Sequence, residues 1–313
     1  MLNRRHIRIK VLQTIYAMHQ SGSEDLDLNQ KFLFQNIENI QDLYLLMVTA
    51  LIEIRKKEEI FLDKSSKKHL ASKEELNPNR KLADNLLLVR LENNTSLLRA
   101  IEDRKFDLWA RNDDYINLLW ELVRKSTIYD DYLHNENQNF PSDQEFVIKI
   151  FSELIAPNDK LYDYLEDQKL SYVDDIPVVN TLILKQLKQC KSEDCEWEVP
   201  EVYKDIEDKD FARDLLRKTL LNEATFTKEF SDKTPNWDMD RIAEVDTIIL
   251  KMAICEFHKF PSIPVKVTMN EYLEIAKEYS TPKSSIFING ILDNLVKEYS
   301  TKDILKKSGR GLM

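Results

Sequence analysis

The chain has very little glycine and proline, with four Gly and nine Pro in 313 residues. Turns and β-hairpins depend on these two residues, so their scarcity predicts helices joined by short loops. With 42% hydrophobic residues, the chain can bury substantial cores, and its length allows two domains. We therefore predict an all-α protein.

Long apolar runs, cysteine pairs and catalytic motifs are also lacking. No run approaches 18 uncharged apolar residues, which argues against a membrane span, and Arg8, Lys10 and Gln13 interrupt the apolar stretch that a signal peptide needs. Three cysteines, an odd and small number, predict no disulfide framework and no metal site. The chain contains no Gly-rich loop, G-x-S-x-G or H-E-x-x-H motif. We predict a cytoplasmic protein that is not an enzyme and needs no cofactor.

Acidic residues are absent from the first twenty positions, MLNRRHIRIKVLQTIYAMHQ, although the whole chain carries 55 Asp and Glu against 45 Lys and Arg. Arg4, Arg5, Arg8 and Lys10 make this segment basic, which favours one local contact with nucleic acid. The helical spacing of its apolar residues predicts a first helix, on which Arg5 and Tyr16 share a face. A second interpretation stays open, in which the arginines are a solvated helix start and Tyr16 is a half-buried edge residue.

Residues from about 26 to 200 have a helical pattern that specifies no chemistry. The clearest apolar stripe comprises Ile37, Ile40, Tyr44, Met47, Leu51 and Ile54. The run 191–200, with four acidic residues, is the best candidate for a linker. A weak internal repeat aligns the segment from Phe146 with the segment from Phe211, with one single-residue gap, and pairs Tyr172 with Trp237. Duplication and coincidence both remain open, because helical patterns match one another easily.

The last third predicts three helices with recognisable ends. Asp238 or Asp240 is expected to cap the first of them, and Thr268 with Glu271 is expected to form a capping box for the second. Ser280 or Thr281 is expected to cap the final helix. Gly290 lies inside that helix, where glycine costs about 1 kcal/mol relative to Ala, so we expect a close helix crossing there.

Five segments occur in an order that resembles the NusB family of transcription antitermination factors. They are NRRHIRIKVLQTIYA, FARDLL, NWDMDRIAEVDTIILKMAICEF, IPVKVTMNEYLEIAKEYST and FINGILDNLV. The resemblance covers the first 20 residues and roughly Asp205 to Tyr299. It implies two small helical bundles that, together with the NusE ribosomal protein, bind the boxA element of ribosomal RNA transcripts within the RNA polymerase antitermination complex. The domains expected from it are the first helix (1–20), a helical insertion (21–200), the NusB-like core (201–300) and a basic C-terminal tail (301–313).

The resemblance also implies which residues bind RNA. The family's motifs fall on Arg4, Arg5, Arg8, Lys10, Tyr16, Lys283, Ser284, Ser285 and Phe287. Arg and Lys neutralise phosphates, and Tyr16 and Phe287 could stack on unpaired bases. For Phe287, packing in the core is an equal alternative. Asp246 is a candidate RNA or partner contact, or else an ordinary exposed helix acid.

The chain departs from the compact family pattern by some 180 residues between its first helix and the matching C-terminal part. This insertion could be an additional domain or an arm that covers the RNA surface. A helical scaffold that does not bind RNA is the alternative function. NusB-like domains also occur fused to RNA cytosine methyltransferases, but that activity needs a glycine-rich α/β domain, which a chain with four glycines does not supply.

Overall fold

The computed structural model describes residues 1–104, 109–192, 194–233 and 242–312. The sequence predictions for Trp237, Asp238 and Asp240 lie outside these ranges. Within them the regular elements are helices, without any strand, which confirms the all-α fold class. No described helix is long and apolar enough to cross a membrane.

Fifteen α-helices are found in the described residues. They are α1 (Arg4–Ser21), α2 (Leu26–Ser66), α3 (Lys73–Leu76), α4 (Leu86–Glu92), α5 (Thr95–Arg104), α6 (Asp113–Arg124), α7 (Thr127–His134), α8 (Phe140–Lys149), α9 (Asp159–Gln168), α10 (Ile176–Gln189), α11 (Ile206–Leu221), α12 (Glu223–Ser231), α13 (Glu244–Lys259), α14 (Val265–Tyr279) and α15 (Ser284–Thr301). A π-helix (Ile150–Ile155) continues α8, and short 3₁₀ turns lie at Leu170–Tyr172 and Gly309–Leu312.

The chain divides into two compact units. Unit 1 contains residues 1–37 and 202–313, and unit 2 contains residues 38–201. The first boundary falls inside α2, whereas the sequence had suggested a boundary at residue 20, before that helix begins. Each unit has its own buried core.

Unit 1 is built around α13, which packs against α1, α11, α12, α14 and α15. Eleven of its sixteen residues are buried, namely Asp246 and the continuous run from Ile248 to Phe257. A helix that is buried on all sides lies at the centre of a bundle. The helix α1 is fixed at both ends, because Asn3 accepts a hydrogen bond from the His6 N–H (3.0 Å) and Gly22 closes the helix with a left-handed φ of 63°.

Unit 2 contains most of the long helix α2. The six residues of its predicted apolar stripe are each at most 1% exposed, so the predicted helical spacing is confirmed. Residues 195–200 do not form an open linker: the Cys195 carbonyl accepts two hydrogen bonds from Arg90, the Val199 N–H donates to Ser96, and Trp197 is buried.

The prediction that no cysteines pair is wrong for Cys190 and Cys195, which form a disulfide with their Cα atoms 5.1 Å apart. The physical reason is local. A turn in which the Cys195 N–H donates to the Ser192 carbonyl (3.1 Å) follows the end of α10 and brings the two residues together. Cys255 is free and buried in α13.

Three predictions about the last third are also wrong. Thr268 lies inside α14, which begins three residues earlier at Val265, and its hydroxyl donates to Glu256 instead of capping a helix. The N-cap of α15 is Lys283, which makes no side-chain capping bond. Gly290 is exposed, and a Cβ added there meets nothing within 4 Å, so no helix crosses at that point.

Candidate nucleic-acid interface

A cavity of about 710 Å³ opens at the start of α1 in unit 1. Four arginines line it, Arg4, Arg5, Arg8 and Arg310, together with the loop 262–264 and Glu271 on α14. We call this cavity the arginine pocket. Its lining contains four guanidinium groups, which are the donors that suit an anion, and one carboxylate, Glu271.

Arg8 is the buried member of the pocket, with 2% of its side chain exposed. Its Nε and Nη2 donate to the two carboxylate oxygens of Glu256 on α13 at 2.8 and 2.7 Å. Glu256 is fully buried and accepts two more hydrogen bonds, from the hydroxyls of Thr268 (2.7 Å) and Tyr272 (3.3 Å). Burial lowers the pKa of Arg8, but attraction to Glu256 outweighs it, and the net shift is upward. Arg8 therefore holds α1 against α13 and α14.

Arg4 and Arg5 are partly exposed, at 39% and 38% of their side chains. Arg5 donates from Nε and Nη2 to both oxygens of Glu271 at 2.9 Å, and this hydrogen bonding raises the pKa of Arg5. The Nε of Arg4 donates to buried Asp208 on α11 at 2.9 Å. Both arginines keep an exposed surface for a ligand, but each already binds a carboxylate.

The other predicted residues of α1 differ in exposure. Lys10 is 2% exposed and makes interactions inside the protein, so its charge does not face solvent. Tyr16 is 41% exposed, as a base-stacking residue requires. It lies one turn from His19, whose ring contacts Glu223 (3.0 Å) and Glu244 (3.2 Å), and hydrogen bonding to Glu223 raises the pKa of His19.

Asp246 is 5% exposed, so it is not the free base acceptor or the exposed acid that the sequence suggested. Its two oxygens accept hydrogen bonds from the hydroxyls of Ser280 (2.6 Å) and Ser284 (2.7 Å). Asp246 thus fixes the loop between α14 and α15 to the first turns of α13. Next to this anchor, Lys283 is exposed, Ser285 and Phe287 are half-buried, and Ser284 itself is buried.

The predicted site residues fall into two groups near opposite ends of α13. The arginine pocket is tied to Glu256, and the loop with Lys283 is tied to Asp246. Ten residues of helix separate these two anchors, or about 15 Å. Between them runs α14, which supplies Glu271 to the arginine pocket and Asn270, Glu274 and Lys277 to a smaller cavity that Ser285 lines.

Sequence reasoning missed Glu256, Glu271 and Arg310 as parts of this site. Glu256 carried a signal, because a lone acid in the apolar run TIILKMAICEF is costly to bury without a cation. Arg310 carried none, since nothing in its local sequence shows that it returns to α1. In the described part of the chain, no group of three or more His, Cys, Asp or Glu could hold a metal ion.

Comparison with known proteins agrees with this architecture. The NusB family model matches residues 183–297. The transcription antitermination protein NusB of Chloroherpeton thalassium is 40% identical over 116 residues, which are 37% of this chain and 55% of that protein. The protein of the same name from Salinibacter ruber is 40% identical over 105 residues, 34% of this chain and 66% of the relative. That of Geotalea uraniireducens is 33% identical over 133 residues, 42% of this chain and 90% of the relative.

The chain thus spans only about half to two thirds of the first two relatives, but nine tenths of the third. No solved structure matches it. Fold and site define an all-helical protein with an arginine-lined pocket at the start of its first helix. With one third of positions identical over nearly the whole length of the third relative, the chain belongs to the NusB family.

Proposed function

We propose that this chain is a transcription antitermination factor that binds boxA-type RNA of ribosomal RNA transcripts together with the NusE ribosomal protein. It acts without catalysis, in the cytoplasm, as part of the RNA polymerase antitermination complex. The proposal rests on family membership and on the relatives' name, transcription antitermination protein NusB. The observation that assigns this function to particular residues is the arginine pocket, a single cavity that four arginine side chains line.

In this proposal the two groups of site residues divide the work. Arg4 and Arg5 offer their exposed surfaces to phosphates. Tyr16 and the half-buried ring of Phe287 offer faces for unpaired bases, and Lys283 and Ser285 add polar contacts at the start of α15. Arg8, Lys10, Ser284 and Asp246 are buried, so they position the surface instead of touching RNA.

One observation favours the alternative of a scaffold that does not bind RNA. Each of Arg4, Arg5 and Arg8 already binds a carboxylate, as expected of arginines that only join helices. Phosphate binding and scaffolding differ in salt dependence, because each phosphate neutralised on a single strand adds about 0.7 to the slope of log K against log salt.

The test is binding of a labelled boxA-type RNA and of a scrambled RNA of equal length, with and without NusE, at two salt concentrations. Preference for boxA that strengthens with NusE supports the proposal. Equal, weak binding of both RNAs in every condition would favour the scaffold. The matched variants are Arg5→Gln, which removes a half-exposed pocket cation, and Arg213→Gln, which removes an exposed cation on α11 that lies outside the pocket lining. Only Arg5→Gln is expected to weaken RNA binding.

A further inference from the structure

The arginine pocket contains one residue that lies beyond the C-terminal limit of the family model. That model ends at residue 297, whereas Arg310 lies in the segment 302–312, which follows α15. We call residues 302–312 the tail. The tail folds back within unit 1 onto the end of α13 and the loop before α14.

Backbone and side-chain bonds hold the tail in place. The Ser308 N–H donates to the Pro261 carbonyl at 3.0 Å. The Nζ of Lys307 donates to the carbonyls of Glu256 (3.3 Å) and Phe260 (3.1 Å), at the C-terminal end of α13. A cation is favourable there because the last carbonyls of a helix are unpaired and carry partial negative charge. Burial lowers the pKa of Lys307 and attraction to Glu256 opposes this shift, as expected for an ammonium group enclosed at the docking site.

Two of the chain's four glycines flank Arg310, and both are required by geometry. A Cβ at Gly311 would lie 1.9 Å from the Pro261 carbonyl oxygen, which is closer than any side chain permits. Gly309 has a φ of 55°, in the left-handed region that favours glycine. The tail backbone therefore lies directly against the loop at Pro261, and this contact directs Arg310 to the arginine pocket.

Arg310 differs in charge balance from the other three arginines. Arg4, Arg5 and Arg8 bind Asp208, Glu271 and Glu256, and Glu207 lies 3.7 Å from Arg4, so three cations face four anions. Arg310 is exposed, and no described residue forms an ion pair or hydrogen bond with its guanidinium. Among the arginines that line the pocket, Arg310 is therefore the one that no carboxylate of the described residues binds.

We propose that the tail is part of the RNA-binding site and that Arg310 binds a phosphate group of the RNA backbone at the arginine pocket. A guanidinium binds a phosphate through two parallel N–H bonds, and no described residue occupies the donors of Arg310. The inference rests on the proposed function, since it names a further residue of the same site.

The experiment measures binding of the labelled boxA-type RNA to the full chain across a salt series, with four proteins: the parent, Arg310→Gln, Gly311→Ala and Lys306→Gln. Arg310→Gln is expected to weaken binding about ten-fold, the effect of losing a charged hydrogen-bonded contact, and to lower the salt slope by about 0.7. Gly311→Ala keeps the arginine but displaces the tail, so a similar loss is expected. Lys306→Gln is the matched control, because Lys306 is exposed on the same tail and does not line the pocket.

Three results would overturn the inference. The first is a parent that binds boxA RNA while Arg310→Gln leaves both affinity and salt slope unchanged, which would leave the proposed function intact. The second is an equal loss in Arg310→Gln and Lys306→Gln, which would indicate only general charge. The third is a parent that binds neither boxA nor scrambled RNA, in which case the proposed function fails as well. Circular dichroism of all four proteins checks that the helices are intact.

A second inference concerns three consecutive helices in each unit. In unit 2 they are α8 with its π-helical continuation, α9 and α10, and in unit 1 they are α11, α12 and α13. Adding 65 to residues 140–155 gives 205–220, and α11 covers 206–221. The same shift takes 159–168 to 224–233, beside α12 at 223–231. After one further residue, 176–189 becomes 242–255, which overlaps α13 at 244–259.

Many buried positions of the two sets coincide under the same shifts, although buried Ile155, Tyr164 and Val179 fall on half-buried Leu220, Glu229 and Val245. All of the following pairs are buried on both sides: Phe146 and Phe211, Val147 and Ala212, Ile150 and Leu215, Phe151 and Leu216, Leu161 and Phe226, Leu165 and Phe230, Ile183 and Ile249, Leu187 and Ala253. Helical periodicity alone would match one helix, but it does not set the order and the similar lengths of three successive helices. We infer that 140–189 and 206–255 are copies of one ancestral segment.

The copies have diverged at the functional surface. Asp208 and Asp143 occupy the same place in the repeat and both are buried. Asp208 binds Arg4, whereas Asp143 accepts the backbone N–H of Leu86 at the start of α4 (2.7 Å). In unit 2 this acid therefore binds the start of α4, whose first three residues are leucines. In unit 1 the corresponding acid binds the start of α1, which carries arginines. Unit 2 is accordingly not a second arginine pocket.

The test uses long relatives that contain both segments. Separate profiles for the two segments, built from divergent chains, are expected to align with each other at the shifts given above and to score far above controls. The controls are shuffled helices that keep the same apolar spacing. Scores no better than these controls would overturn the duplication, because the match would then reflect helical periodicity alone.

Discussion

The buried pair of Arg8 and Glu256 gives the sharpest stability prediction. Glu256→Gln removes the negative charge but leaves the guanidinium of Arg8 buried at 2% exposure. Breaking a buried ion pair in this way costs about 3–5 kcal/mol, because an uncompensated charge stays in the protein interior. The loss of stability is expected to exceed that caused by removing one partner of an exposed ion pair, since Glu256 accepts four hydrogen bonds in the structure.

The assay is urea unfolding followed by circular dichroism, with hydrogen exchange to report on α1 and α13 separately from unit 2. Glu207→Gln is the matched control, because Glu207 is 80% exposed and lies 3.7 Å from Arg4, so a loss within about 0.5 kcal/mol is expected. Arg8→Met combined with Glu256→Gln is expected to recover part of the stability, since no charge is then left unpaired. If Glu256→Gln lowered the free energy of unfolding by less than about 1 kcal/mol and the amides of α1 stayed protected from hydrogen exchange, the assignment of a desolvated ion pair would be refuted.

Other substitutions test separate parts of unit 1. Gly290→Ala is expected to raise stability by about 1 kcal/mol, because the position is helical and open, whereas Gly22→Ala is expected to lower it by about 1 kcal/mol at a left-handed φ; thermal melts compare the two. The raised pKa of His19 contributes stability that is complete below about pH 6.5 and lost as pH rises through the folded value. The fall in Tm from pH 6 to pH 8 should therefore shrink in His19→Gln, and an unchanged fall would contradict this. Asp246→Asn is expected to loosen the loop before α15, seen as faster hydrogen exchange at Ser284, while Asp293→Asn at an exposed site of α15 should leave it unchanged.

Local sequence was sufficient for much of the fold. The scarcity of glycine and proline predicted helices, and the stripe from Ile37 to Ile54 lies buried on α2 as its spacing required. Both properties depend on the conformational preferences of single residues and on a period of 3.6, which neighbouring residues set among themselves. The caps of the last helices were less predictable. The Thr268 hydroxyl can bind either the backbone at the start of its own helix or a buried carboxylate, and tertiary packing brings the carboxylate of Glu256 to it.

The composition of the site depended on contacts between distant parts of the chain. The sequence determined that the start of α1 is basic, but it does not distinguish Arg5 from Arg8. Only the position of α13 decides that Arg8 is buried against Glu256, which lies 248 residues away in sequence. Asp246 reads as a surface acid until the loop at Ser280 and Ser284 encloses it. Arg310 joins α1 because the tail returns to Pro261. Helix periodicity is a local property and can be read from sequence, whereas partners of charged groups are set by which helices pack together.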